Sequence, residues 1–169
     1  KSMVEVLGVP AKNVVVFPAA IDGSEIRGVL RRRFKRSNKF VVVARLVPEK
    51  RVEMAIRAIV GTGAELIVIG TGPEEPKLLA LARKLGVEKK VRIENIRERE
   101  AVLRHISEAR GMLMFSAREG LSIVSIEALA LGTPVIITKS TSLTDEIRRH
   151  CHTVDERNLS GSIARLLKN

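Results

Sequence analysis

Two glutamates eight residues apart, Glu119 and Glu127, flank the start of the most apolar helix that the sequence predicts. Ser122 fits the N-cap position, and the free N–H groups and helix dipole at such an N-terminus favour phosphate. A carboxylate can also accept hydrogen bonds from two hydroxyls of a sugar. Because an unpaired carboxylate buried in so apolar a helix is costly, we expect Glu127 to meet a donor. The pair therefore indicates a site that holds phosphate and sugar together.

The spacing by itself carries little information, since Glu100 and Glu108 are also eight residues apart and lie on a polar stretch that we interpret as surface. The run around the first pair is more specific. Residues 119–136 read Glu-Gly-Leu-Ser-Ile-Val-Ser-Ile-Glu-Ala-Leu-Ala-Leu-Gly-Thr-Pro-Val-Ile. This run resembles the Glu-x7-Glu signature of family 4 retaining glycosyltransferases. The resemblance covers about residues 14–167 and implies the C-terminal, donor-binding half of a two-domain GT-B enzyme.

The resemblance implies a role for each residue of the loop and helix. Glu119 contacts the sugar being transferred, and Glu127 holds the ribose hydroxyls of the donor. Backbone N–H groups of Gly120, Leu121 and Ser122 lie on the sugar and phosphate. In the family, transfer retains the anomeric configuration.

A second basic loop follows the predicted strand at 40–44, where Arg45, Lys50 and Arg51 crowd the start of a helix. Cations oppose the helix dipole there, so an anionic ligand would relieve the conflict, as would nearby glutamates. The segment resembles the family's Gly-Arg-Leu-x-x-x-Lys-Gly sequence, with Ala44 and Arg51 replacing the two glycines. By that resemblance Arg45 and Lys50 contact the donor diphosphate and neutralise it as it leaves, so that no metal ion is needed.

Two further loops have weaker signals. The turn at 70–75, Gly-Thr-Gly-Pro-Glu-Glu, is half a dinucleotide fingerprint, but Glu75 stands where a third small residue belongs, which disfavours a nicotinamide dehydrogenase. It reads as a strand-to-helix turn, and the resemblance places Gly72 near the donor. In the loop at 94–97 the resemblance places Ile96 and Arg97 near the nucleotide base, with a solvated surface charge as the alternative for Arg97.

Strands and helices alternate along the chain, which predicts an α/β fold with an open, Rossmann-like parallel sheet and helices on both faces. Ligands then bind beyond the carboxyl ends of the strands. The predicted strands are 14–17, 40–44, 66–69, 91–93, 112–115 and 135–138. The predicted helices are 51–60, 73–85, 98–109, the one after Ser122, 143–149 and 158–167. Residues 19–38 are predicted to be loop and surface turn.

Composition limits the class of protein. The 169 residues suit one domain, and Cys151 is the only cysteine, so an internal disulfide is excluded and a reducing cytosol is the simplest compartment. No apolar run reaches the length of a membrane span. With no Trp or Tyr and only four Phe, stacking platforms for nucleic acid are scarce. Glutamine is absent, which together with many charged residues hints at a thermophile.

The net charge is +11, and residues 27–36 hold six of the basic side chains. This basic run is interpreted either as a solvated segment or as a contact with anionic lipid on the inner face of a membrane. The sequence thus predicts a cytoplasmic, metal-independent donor domain over residues 1–169. By its overall resemblance to mannosyltransferases of surface polysaccharide assembly, its partners would be a nucleotide sugar, GDP-mannose first and UDP-glucose second, and a glycan or lipid-linked acceptor held by another domain. A regulatory nucleotide-binding module stays open as an alternative, and a nucleic-acid-binding domain is a more distant one.

Overall fold

A computed structural model describes residues 21–32, 34, 36–119 and 121–168. The strand predicted at 14–17 and Gly120 lie outside the described residues. The helices are α1 Gly23–Arg31, α2 Val52–Ala58, α3 Glu75–Lys84, α4 Arg99–Glu108, α5 Ile123–Ala130, α6 Asp145–Arg148 and α7 Leu159–Lys168. The strands are β1 Lys39–Val43, β2 Glu65–Ile69, β3 Val91–Glu94, β4 Gly111–Leu113, β5 Val135–Thr138 and β6 His152–Val154. Short 3-10 turns span Pro48–Lys50 and Glu156–Asn158.

The described strands form one parallel sheet in the order β3-β2-β1-β4-β5-β6. Chain order reverses between β1 and β4, where Val41 pairs with Ile67 on one side and with Met112 on the other. A reversal of this kind opens a crevice at the carboxyl ends of the two strands. The predicted α/β fold with an open parallel sheet is confirmed.

Alternate residues of β1 pack into two hydrophobic cores, one on each face of the sheet. Phe40 and Val42 pack with Ile56 of α2 and with buried residues of α3 and α7. Val41 packs on the other face with Leu103 of α4 and with buried residues of α1 and α5. Because side chains alternate across a strand, an unbroken apolar run such as that of β1 requires helices on both faces.

The prediction of loop for residues 19–38 is wrong where the structure describes them, because α1 occupies residues 23–31. Asp22 caps this helix: the backbone N and Oγ of Ser24 both donate to its carboxylate at 2.7 Å, and they lower the pKa of Asp22. Ile26 and Val29, three residues apart, are buried against the second core. Two apolar residues beside six basic ones at positions 27–36 are too short a pattern to predict a helix from the sequence.

The strand β6 is a second element that the sequence did not predict. It pairs in parallel with β5 through Ile136 and His152, and its two first residues are exposed. An edge strand of three residues with polar side chains has neither the length nor the apolar character by which buried strands are identified.

The central helix α5 begins and ends as predicted. Ser125 N donates to the Oγ of Ser122 at 3.3 Å, and Gly132 takes a left-handed conformation with φ of 72° after the helix. The apolar character of this sequence predicts a buried helix, but Leu121 and Ile123 at its start are 40% and 46% exposed. The exposed end faces the carboxyl edge of the sheet.

Candidate functional site

A small cleft lies at the switch between β1 and β4. Its walls include Lys50 and Arg51 from the turn after β1, Ser116 and Glu119 from the loop after β4, and Ser122 at the cap of α5. The sequence separates these groups by more than sixty residues. Parallel strands bring them together, because every βα loop leaves the sheet at the same edge.

Lys50 and Glu119 form a salt bridge inside this cleft, and their side chains are only 16% and 19% exposed. The two loops are also joined through the backbone, since Ala117 N donates to the carbonyl of Glu49 at 2.8 Å. Ser142 Oγ donates to the carbonyl of Glu119 at 3.1 Å and holds the second loop from the β5 side. A cation for an anionic ligand and a carboxylate for hydroxyl groups are therefore in direct contact.

Arg45 lies exposed on the same loop as Lys50, and no hydrogen bond or ion pair to another described residue occupies its side chain. The loop is fixed from below by the turn after β2. Leu46 N donates to the carbonyl of Thr71 at 2.8 Å, and Glu74 N donates to that of Leu46 at 3.1 Å. Gly72 belongs to this support: a Cβ there would lie 2.7 Å from the carbonyl carbon of Leu46. The glycine thus permits close packing beneath the Arg45 loop.

Glu127 lies one turn inside α5 and is 2% exposed. The expected donor is Arg99, whose Nη2 donates to Oε1 of Glu127 at 2.8 Å, while its Nε donates to Glu25. Both hydrogen bonds raise the pKa of Arg99, and the one to Glu25 has the larger effect. Sequence reasoning missed Arg99. Its signal was the position: a cation at the first residue of a helix opposes the dipole unless a carboxylate lies beside it.

A family model described as glycosyl transferases group 1 matches residues 30–169. The chain belongs to this family. The match includes the loops that supply the cleft, the whole of α5 and the strands β1 to β6. The general prediction of a glycosyltransferase of the GT-B type is therefore confirmed.

Relatives of this group 1 glycosyl transferase chain include D-inositol 3-phosphate glycosyltransferase of Corynebacterium urealyticum, 33% identical over 109 residues. That alignment covers 64% of this chain and 25% of the relative. The crystal structure of WaaG, a glycosyltransferase involved in lipopolysaccharide biosynthesis, superposes with a TM-score of 0.77 at 21% identity, over 95% of this chain and 49% of WaaG. The chain thus spans about a quarter of the first protein and half of the second.

The pneumococcal O-GlcNAc transferase GtfA, solved in complex with UDP and GlcNAc, has the same fold. Its TM-score is 0.66 at 16% identity, over 80% of this chain and 30% of GtfA. In both superpositions the identity is low, so the likeness is one of fold.

Arg51, which replaces a glycine of the family segment, contacts the loop after β5. Its backbone adopts the left-handed conformation with φ of 48° and ψ of 43°. Its Nη1 donates to Oγ of Ser140 at 3.0 Å, and Ser140 donates to Glu156 at 2.7 Å. The side chain that strains the backbone therefore also ties the cleft to the loop after β5.

We expect Arg51→Gly to unfold at higher denaturant concentration than Arg51→Ala, by a difference in free energy of about 1 kcal/mol. Both variants lose the bond to Ser140, but only glycine removes the cost of the left-handed backbone. Chemical denaturation followed by circular dichroism measures the difference. Equal midpoints for the two variants would contradict a strained residue at this position.

The remaining residues predicted to bind donor lie on exposed loops of the carboxyl edge. Ile96 packs partly buried against the second core, whereas Arg97 is exposed. Leu121 is exposed beside the cleft, and Gly120 lies outside the described residues. The structure thus brings Lys50, Glu119 and Ser122 into one cleft, and it does not place Arg45, Ile96, Arg97 or Glu127 among that cleft's lining residues.

In the part of the chain that the structure describes, no helix is long and apolar enough to cross a membrane. Within the same residues, no three His, Cys, Asp or Glu side chains form a group that could hold a metal ion. The basic run is partly used by the fold: Arg32 pairs with Glu100 at 2.5 Å, and Arg36 donates to the carbonyl of Gly132. Contact with anionic lipid stays a prediction.

Proposed function

We propose that this chain binds a nucleotide diphosphate sugar and forms the donor half of a retaining glycosyltransferase, which transfers a hexose to a glycan or glycolipid acceptor. The observation that carries the proposal is the pairing of Lys50 with Glu119 at the N-terminus of α5. A phosphate entering the cleft would compete for Lys50 and release Glu119 toward the sugar. This exchange couples recognition of the diphosphate to recognition of the hexose.

In this scheme Arg45 and Lys50 stabilise the negative charge that develops on the leaving diphosphate. Glu119 contacts the transferred sugar, and the N–H groups of residues 120–122 bind sugar and phosphate at the positive end of the helix dipole. Glu127 accepts hydrogen bonds from the ribose, and Ile96 and Arg97 flank the base. Because two cations offset the diphosphate charge, the proposed reaction uses no metal ion.

For the donor, we propose GDP-mannose first and UDP-glucose second. The resemblance to mannosyltransferases of surface polysaccharide assembly favours mannose, and the UDP bound in GtfA supports a uridine donor. The role of WaaG in lipopolysaccharide biosynthesis supports a glycolipid acceptor. Another domain would bind that acceptor, so we expect the 169-residue chain to bind donor and to transfer little.

Calorimetric titration with GDP, UDP, GDP-mannose and UDP-glucose tests the proposal. We expect the chain to bind nucleotides of one base more tightly than the other. We expect Glu127→Ala to lower the affinity for the preferred nucleotide by about tenfold or more, because a charged acceptor of ribose hydrogen bonds is lost. Glu108→Ala is the matched control, since its carboxylate lies at the far end of α4 and should leave affinity unchanged.

Equal affinity of the wild type and Glu127→Ala for every nucleotide would overturn this assignment. Binding of RNA that falls steeply with salt and is the same in Glu127→Ala would instead favour the nucleic-acid alternative. A selective nucleotide signal with no transfer after the acceptor domain is joined would favour the regulatory module.

A further inference from the structure

We propose that Arg99 is a positioning residue, which orients the carboxylate of Glu127 so that one oxygen stays available to the ribose of the donor. The inference rests on the proposed function, because it assigns a second residue to the same nucleotide site. Arg99 itself would not touch the nucleotide. Its effect would pass through Glu127.

The contact between the two residues is specific. Arg99 Nη2 donates to Oε1 of Glu127 at 2.8 Å, and the carboxylate side chain is 3% exposed. A planar guanidinium fixes the direction of its hydrogen bonds better than an ammonium group does. The side chain of Arg99 is itself 47% exposed, so a rigid donor that approaches from the surface sets the plane of a buried carboxylate.

A second anchor holds the guanidinium in place. Its Nε donates to Glu25, so one cation joins the first turns of α1 and α4 to the second turn of α5. Each of these helices has its N-terminal end at the carboxyl edge of the sheet, where the cleft lies. Arg99 thus fixes the start of α5 relative to the loops that surround the donor.

The other oxygen of Glu127, Oε2, has no hydrogen-bond partner among the described residues. Thr144 Oγ1 is the polar side-chain atom of the described residues that is buried without a partner, so Oε2 of Glu127 still reaches solvent, and a ligand hydroxyl can donate to it there. Arg99 takes one oxygen and leaves the second, which gives the carboxylate one defined acceptor direction. A ribose hydroxyl is the group that the proposed donor would place there.

Joining α1 to α4 does not by itself require Arg99. The pair Arg32 and Glu100 already joins α1 to α4, at 2.5 Å and with both side chains more than half exposed. Unlike Arg32, Arg99 also donates a hydrogen bond to the buried Glu127 of α5. The two arginines therefore form a matched pair, one beside the candidate site and one on the surface of the same helices.

The test compares Arg99→Met with Arg32→Met by calorimetric titration of the 169-residue chain. The probes are UDP, GDP and the 2′,3′-dideoxy forms of both. We expect the wild type and Arg32→Met to prefer the ribonucleotide of the selected base by about tenfold or more, and Arg99→Met to lose most of this preference. Arg99→Lys should keep only part of it, because lysine provides one flexible donor.

Circular dichroism at the titration temperature verifies that each variant is folded, and Glu25→Gln gives a milder variant that keeps the contact with Glu127. An undiminished ribose preference in folded Arg99→Met would overturn the inference, as would tighter binding, which would mean that Arg99 competes with the ribose. If Glu127→Ala loses the preference while Arg99→Met keeps it, only the role of Arg99 fails. If the wild type shows no preference or no binding, the proposed donor site itself fails.

Discussion

Gly70→Ala is expected to lower the free energy of unfolding by about 3 to 5 kcal/mol. A Cβ at this position would lie inside contact distance of the Ala44 carbonyl oxygen and 2.9 Å from its carbon. The backbone also has φ of 151°, where side chains are strained. Both costs act together, because the neighbour is backbone of the adjacent strand end and cannot rotate away.

Urea unfolding followed by circular dichroism measures this loss, since the chain has no Trp or Tyr for fluorescence. Gly28→Ala is the control: Gly28 lies in α1, and nothing lies within 4 Å of its added Cβ. That variant should gain about 0.5 to 1 kcal/mol, because alanine favours the helix. If Gly70→Ala unfolds at the same urea midpoint as the wild type, the close approach of Gly70 to the backbone of Ala44 would be contradicted.

The double variant Arg45→Gln, Lys50→Met removes both cations that are proposed to bind the diphosphate. We expect it to lower the affinity for UDP or GDP by about a hundredfold or more. Each charge-assisted bond to the diphosphate contributes separately, and Lys50 acts in a partly buried cleft where screening is weak. Affinity for the nucleoside without phosphates should stay unchanged, because neither cation is assigned to base or ribose. Titration with the nucleoside, its monophosphate and its diphosphate separates these contributions.

A matched control removes the same charge elsewhere. Lys77 pairs with Glu74 at 2.6 Å on the exposed surface of α3, and Arg83 is exposed on the same helix. Lys77→Met combined with Arg83→Gln should therefore keep nearly all the affinity. An equal loss in the two double variants would show that net charge alone attracts the nucleotide, which would contradict a built phosphate site at Lys50.

The regular part of the fold follows from local sequence. Strands β1, β2 and β5 begin and end within one residue of their predicted bounds, because unbroken apolar runs of four or five residues are a strong local signal. The ends of α5 follow from Ser122 and Gly132, which act on the backbone beside them. Parallel pairing then brings the loops after β1 and β4 to one edge of the sheet, and the adjacency of these two strands in the structure brings Lys50 to Glu119.

The rest depends on contacts between distant residues, which no local pattern encodes. The helix α1 is held by an ion pair between residues 74 apart, and Arg51 meets Ser140 across 89 residues. Arg99 looks like any surface cation until folding places it beside a buried acid of another helix. By itself the sequence determined the sheet, its loops and the residue types for phosphate and sugar. Only the tertiary structure decided which charge meets which, because burial and pairing depend on how the helices pack against the sheet.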